Sequence, residues 1–186
     1  MTIIKLMRSL VGGLVVAALV SMGAAFAQER DLAIQAFAGQ WKGSAISEST
    51  VSIHFGLTVR DLDVKIQPVG GGFEIVWTTI LRQKGDPESP IVVRKSNRMH
   101  FAPTTAPSVF RGADSSDPLA GGAYAWAAIR GHTLSINILT IAADGALTMQ
   151  IYDRTLSPLG MALSFRRLLD GTIERTVDGK LVKIAE

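Results

Sequence analysis

Three histidines, His54, His100 and His132, have the broadest chemical reach of any residues in this chain. No two of them stand at the spacing that lets a pair share a metal, and no H-E-x-x-H is present. His54 lies between Ile53 and Phe55, and His100 between Met99 and Phe101. A lone histidine in such a strand-like run is ordinarily a hydrogen-bonded or surface residue. Asp61 and Asp63 share one strand face in principle, yet they flank a break in hydrophobic phase and are expected to face water. Tyr152-Asp153-Arg154 sets acid, base and cation side by side, but neighbours along a strand point to opposite faces. That triplet therefore reads as a solvated strand end. There is no G-x-S-x-G nucleophile elbow. Gly70-Gly71-Gly72 runs into Phe73 with no Lys-Ser and no helix after it, so it is a turn and not a phosphate cradle. The chain has no cysteine, which removes thiol catalysis, thiolate metal sites and disulfides together. No catalytic residue, metal site or cofactor is assigned from these residues, and an enzyme is the less favoured reading.

What the spacing does offer is an apolar wall. Phe73, Ile75 and Trp77 alternate onto one face, as do Tyr124, Trp126 and Ala128, with Ala123, Ala125 and Ala127 adding little bulk. A small barrel either fills its interior with side chains or holds one small ligand. Phe73, Trp77, Tyr124 and Trp126 are the expected ligand-binding residues, and the stretch Thr104 to Gly122 is expected to fold over the mouth. A filled core is the bland alternative.

The elements that would carry such a wall are strands. Glu29 to Ala38 predicts one short helix, with Leu32, Ala33, Ala36 and Phe37 near one face. Thereafter short runs rich in Val, Ile, Thr and aromatics recur between Gly, Pro, Asp and Asn, the pattern of an all-β domain. Leu134, Ile136 and Ile138 alternate with polar residues, as do Leu147, Met149 and Ile151, then Met161, Leu163 and Phe165. Asp144-Gly145, Asp170-Gly171 and Asp178-Gly179 predict hairpins, because Asp-Gly accepts the positive φ angles of a type I′ turn. In the first half, Leu57 and Val59 have one parity while Leu62, Val64 and Ile66 have the other, which predicts a β-bulge at Arg60-Asp61. The expected architecture is a single antiparallel, mostly up-and-down β-barrel of about nine to eleven strands. A two-sheet sandwich is the alternative.

Ahead of this domain stands an export pattern. Lys5 and Arg8 are the only charges before Glu29, an apolar run begins at Leu10, and Ala25-Phe26-Ala27 supplies an A-x-A site. Residues 1–27 are read as a signal peptide and residues 28–186 as the β-barrel domain, periplasmic or secreted, with no membrane span once the signal is removed. An uncleaved anchor is the rival, since Ser9 to Ala27 approaches the roughly 20 apolar residues of a spanning helix. Removing two signal cations leaves 17 Lys and Arg against 16 Asp and Glu, a net charge of +1. The longest basic cluster is Arg166-Arg167, and nucleic acid is not an expected partner.

Gly39-Gln40-Trp41, following the predicted helix and opening the first strand, resembles the G-x-W start of lipocalins and related calycin barrels. That resemblance implies that Trp41 plugs one barrel end and that a late-strand arginine, Arg175 or Arg166, packs across it. The sequence lacks a T-D-Y-like segment and ends in hairpins instead of the C-terminal helix of that family. Gly39-x-Trp41-x-Gly43 also resembles nitrobindin-type haem barrels, which implies a histidine ligand, although the tyrosine-proline continuation is absent. The resulting expectation is an exported barrel binding an apolar or amphipathic small molecule. The alternative is an interaction module of the cell envelope with a filled barrel and a protein partner. A haem-binding barrel is third.

Overall fold

A computed structural model describes residues 30–52, 56–82, 89 and 91–186. The signal-like segment, His54 and most of the Lys84 to Pro90 turn lie outside the described residues. Ten strands follow one another: β1 (Gly39–Ser49), β2 (Leu57–Val69), β3 (Gly72–Arg82), β4 (Val92–Pro103), β5 (Val109–Gly112), β6 (Ala123–Arg130), β7 (Thr133–Ile141), β8 (Leu147–Ser157), β9 (Gly160–Leu169) and β10 (Thr172–Ala185). Each is antiparallel to its sequence neighbour, and β1 pairs with both β2 and β10, which closes the barrel. Closure pairs the two edges that an open sheet would leave as templates for aggregation. The all-β, up-and-down barrel expected from the sequence is the fold observed.

Strands begin and end alternately at two barrel ends, and the ends differ. At one end a 3-10 turn, Ile34–Phe37, replaces the longer helix expected over Glu29 to Ala38. Asp31 accepts a hydrogen bond from the Gly131 amide (2.8 Å), and the Leu32 amide donates to the Gly131 carbonyl (3.0 Å). These two bonds fix the entering chain to the β6–β7 turn. Phe37 and Trp41 are buried, and the Trp41 indole Nε1 donates to the Phe37 carbonyl at 3.1 Å. Trp41 thus plugs this end. Burying each ring contributes about 1.5–3 kcal/mol. Above the plug Phe73 stacks on Phe101 (centroids 4.8 Å apart) and meets Phe110 edge-on (5.2 Å), while Ile66, Ile75, Ile129, Leu134, Ile136, Met161 and Leu181 fill the remaining space.

Several local expectations are corrected. β2 has no bulge: its pairing with β1 runs without a register shift across Arg60-Asp61. Leu57 and Val59 face outward and are exposed (63% and 50%), while Thr58 and Arg60 keep the inward parity. Polar residues hold inward positions there because that end of the barrel is not packed. β8 is inverted for the same reason, with Gln150, Tyr152 and Arg154 facing in. Asp170-Gly171 does form the predicted turn, with φ of 49° and 82°. Asp178-Gly179 does not turn, because β10 runs straight through it. The glycine is needed for space: a Cβ on Gly179 would stand 2.6 Å from that of Ala45. The arginine expected across Trp41 is neither Arg175 nor Arg166. Lys183 Nζ lies 5.8 Å from the indole instead, since Arg175 faces the opposite end and Arg166 pairs outward with Asp153.

Candidate functional site

The packed core stops halfway up the barrel. β9 illustrates the change: Met161, Leu163, Phe165 and Arg167 are successive inward positions, running from core to cation. Towards the end reached by the β1–β2 and β9–β10 connections, the interior opens into a cavity of about 350 Å³. That volume is at the small end of ligand sites, which run from about 300 to 1,000 Å³. Leu62 and Val64 of β2, Trp77 of β3, Phe165 of β9 and Val177 of β10 supply apolar wall. Five cations share it: Arg60, Lys95, Arg154, Arg167 and Arg175. The described lining contains no carboxylate. A second cleft of about 720 Å³ shares Arg60 and Arg175 with it.

Arg154 is the deepest of the five. It is fully buried (0% exposed), and Nε, Nη1 and Nη2 all lack a hydrogen-bond partner. Its guanidinium carbon lies 5.7 Å from the Trp77 ring and 5.6 Å from the Tyr152 ring. These aromatic faces attract the cation but satisfy none of its five N–H donors. The neighbouring carboxylate supplies no hydrogen bond. Asp153 points to the outer face, where it takes Arg166 at 3.0 Å and the Ser135 hydroxyl. Burial lowers the Arg154 pKa to about 10, with Tyr152 and Asp153 opposing the fall. An isolated buried charge costs several kcal/mol even after relaxation. The aromatic faces and the electrostatic pull of Tyr152 and Asp153 compensate only in part, and no hydrogen bond does.

The cations nearer the mouth repeat the theme. Nε of Arg60, of Arg167 and of Arg175 is buried without a hydrogen bond. Arg167 Nε stands 3.5 Å from Glu174 Oε2, an ion pair outside hydrogen-bonding geometry. Arg167 and Arg175 are direct register partners across β9 and β10. Desolvation lowers the pKa of Arg60, and repulsion from Arg175 lowers it further. Like charges were gathered here against their own repulsion. Tyr152 completes the wall: its phenol donates to Gln150 Oε1 at 2.9 Å, and burial raises its pKa while Arg154 opposes.

Of the four residues expected from sequence to bind ligand, only Trp77 lines this cavity. Phe73 has the same inward parity but lies at the plugged end, spent on Phe101 and Phe110. Tyr124 and Trp126 face outward, with centroids 6.0 Å apart and Arg111 beside Tyr124. The alanines Ala125 and Ala127 occupy the inner face of β6. Thr104 to Gly122 does not cover the cavity. β5 divides that stretch between the two ends, and residues 103–110 border the plug. His100 faces outward beside Glu74 (3.3 Å) and His132 lies in the β6–β7 turn, so neither offers the cavity a haem ligand. The arginines escaped sequence reading because charge at inward parity looks like a strand end. Their signal was parity itself, since Arg154 shares a face with Tyr152, and Arg60 with Leu62.

A closed antiparallel barrel with one packed end and one cationic, half-apolar cavity is the class that fold and site define. No family model, curated protein or solved structure matches the chain.

Proposed function

We propose that this protein is an exported barrel that binds an amphipathic organic anion, with an acid group of the ligand on Arg154 and its apolar part against Trp77 and Phe165. The observation that carries the reading is a fully buried guanidinium with no hydrogen-bond partner, set in the wall of a cavity. A carboxylate, sulfonate or phosphate there would make the charge-assisted, bidentate bonds that the protein itself withholds. An apolar ligand alone would leave the cation as costly as before, so the carrier expected from sequence is narrowed to one for anions. The Gly39-x-Trp41 opening and the plugged end support a calycin-like architecture, with ten strands against the eight of lipocalin barrels.

The test is a pair of fluorescent probes of similar shape, anilinonaphthalene sulfonate and uncharged phenylnaphthylamine, titrated into the wild type and Arg154→Met. The wild type prefers the sulfonate by roughly tenfold or more, as expected for a hydrogen-bonded ion pair. Arg154→Met abolishes that preference. Equal affinity for both probes in the wild type would sink the proposal and return the barrel to the reading of an envelope interaction module.

A further inference from the structure

The cationic groups of the cavity occupy two levels with an apolar belt between them. Arg154 is the register partner of Leu163, and Arg167 lies four residues further along the same strand. Four strand residues separate the two levels by about 13 Å along β9, or roughly 10 Å along the barrel axis at the tilt typical of barrels. Leu62, Phe165 and Val177 fall in the interval. The upper level holds Arg60, Arg167 and Arg175, each with a buried Nε that makes no hydrogen bond. Glu174 pairs with Arg167 alone, so a single acid group on Arg154 leaves the upper cluster with three guanidinium groups and one carboxylate.

Resting on the proposed anion-binding reading, we infer that the ligand is two-headed: an elongated diacid with one acid group on Arg154, an apolar middle, and a second acid group at Arg60, Arg167 and Arg175. Both levels then receive acceptors at once, and the belt between them receives hydrocarbon. The second head also relieves the mutual repulsion of Arg60 and Arg175. Lys95, also on the wall, adds a further cation without defining a level of its own.

The experiment uses a series of α,ω-dicarboxylates of increasing chain length, each beside its half methyl ester, measured by calorimetric titration of the full barrel domain. The ester keeps length and hydrocarbon and removes one charge. In the wild type the diacid of optimal length binds at least about tenfold tighter than its half ester, the expected gain from a second charge-assisted contact. The double variant Arg60→Gln/Arg175→Gln loses the advantage of the diacid over its half ester. Thermal unfolding of the variant checks that it is folded, and a variant that fails to fold leaves the wild-type comparison of diacid with half ester to decide. If diacid and half ester bind equally while both depend on Arg154, the two-headed inference is wrong and the single-anion reading stands. If neither binds at any length, both readings are overturned.

Discussion

Replacing Arg154 with methionine removes a charge while keeping an unbranched apolar stem that can lie between Trp77 and Tyr152. The depression of the Arg154 pKa to about 10, roughly two to three units below an ordinary guanidinium, reflects how strongly burial disfavours the charged form. At about 1.4 kcal/mol per pH unit this is about 3 kcal/mol. The two aromatic faces return about 1–2 kcal/mol of cation–π attraction. The net penalty in the unliganded protein is therefore about 1–2 kcal/mol, and Arg154→Met is expected to stabilise it by that amount. For a domain of this size the gain is roughly 2 to 8 °C in Tm. The pH dependence follows from the same linkage. A base whose folded pKa is lowered carries its full penalty below about pH 10, and the penalty is relieved only as pH rises beyond that towards the range of a free guanidinium. Wild-type stability gains an increment across that window which Arg154→Met lacks. Anionic ligand works against that order, since binding raises the wild-type Tm by mass action more than that of the variant. Differential scanning calorimetry at neutral pH, with and without anilinonaphthalene sulfonate, reads both effects. An unliganded variant that melts well below the wild type would refute the reasoning, because it would show Arg154 to be a structural member of the core.

Gly43→Ala is expected to destabilise by about 2 kcal/mol or more in chemical denaturation, because its Cβ would collide with the Lys180 carbonyl across the β1–β10 seam. A neutral result would mean that the seam shifts freely. Trp126→Phe should leave probe affinity unchanged while Trp77→Phe weakens it several-fold, since only Trp77 lines the cavity. Equal effects would place the site elsewhere. Tyr152 keeps its proton above pH 10.0 in the folded state, so its phenolate absorbance emerges late, and Tyr152→Phe removes that late step. A Tyr152 that titrates at its ordinary value would show the site to be wet. Because its folded pKa is raised, Tyr152 subtracts stability as pH climbs past 10.0, opposite in sign to Arg154.

The barrel was readable in the chain because strand signals are local. Alternation at β7 and β9, the Asp170-Gly171 turn and the Gly39-x-Trp41 opening each follow from backbone geometry within a few residues. Gly43 and Gly179 could be seen in sequence, but their purpose is a close approach between β1 and β10, the first strand and the last. The cavity was hidden for a related reason. Alternation says which residues share a face, but not which face is inside, nor how far up the barrel the packing extends. β2 and β8 carry polar residues at inward parity because they line open space; Leu62, Val64 and Ile66 do face the core, but turning Leu57 and Val59 inward through a bulge put those two on the wrong side. Tyr124 and Trp126 show the converse, large rings turned outward so that small alanines can fill the narrow interior. Chain-local physics determined that this protein is an antiparallel barrel closed around a tryptophan plug. Only the closure of the barrel decided that four arginines from β2, β8, β9 and β10 would meet in one space, because charge far apart in sequence becomes a binding site only when the fold desolvates it in common.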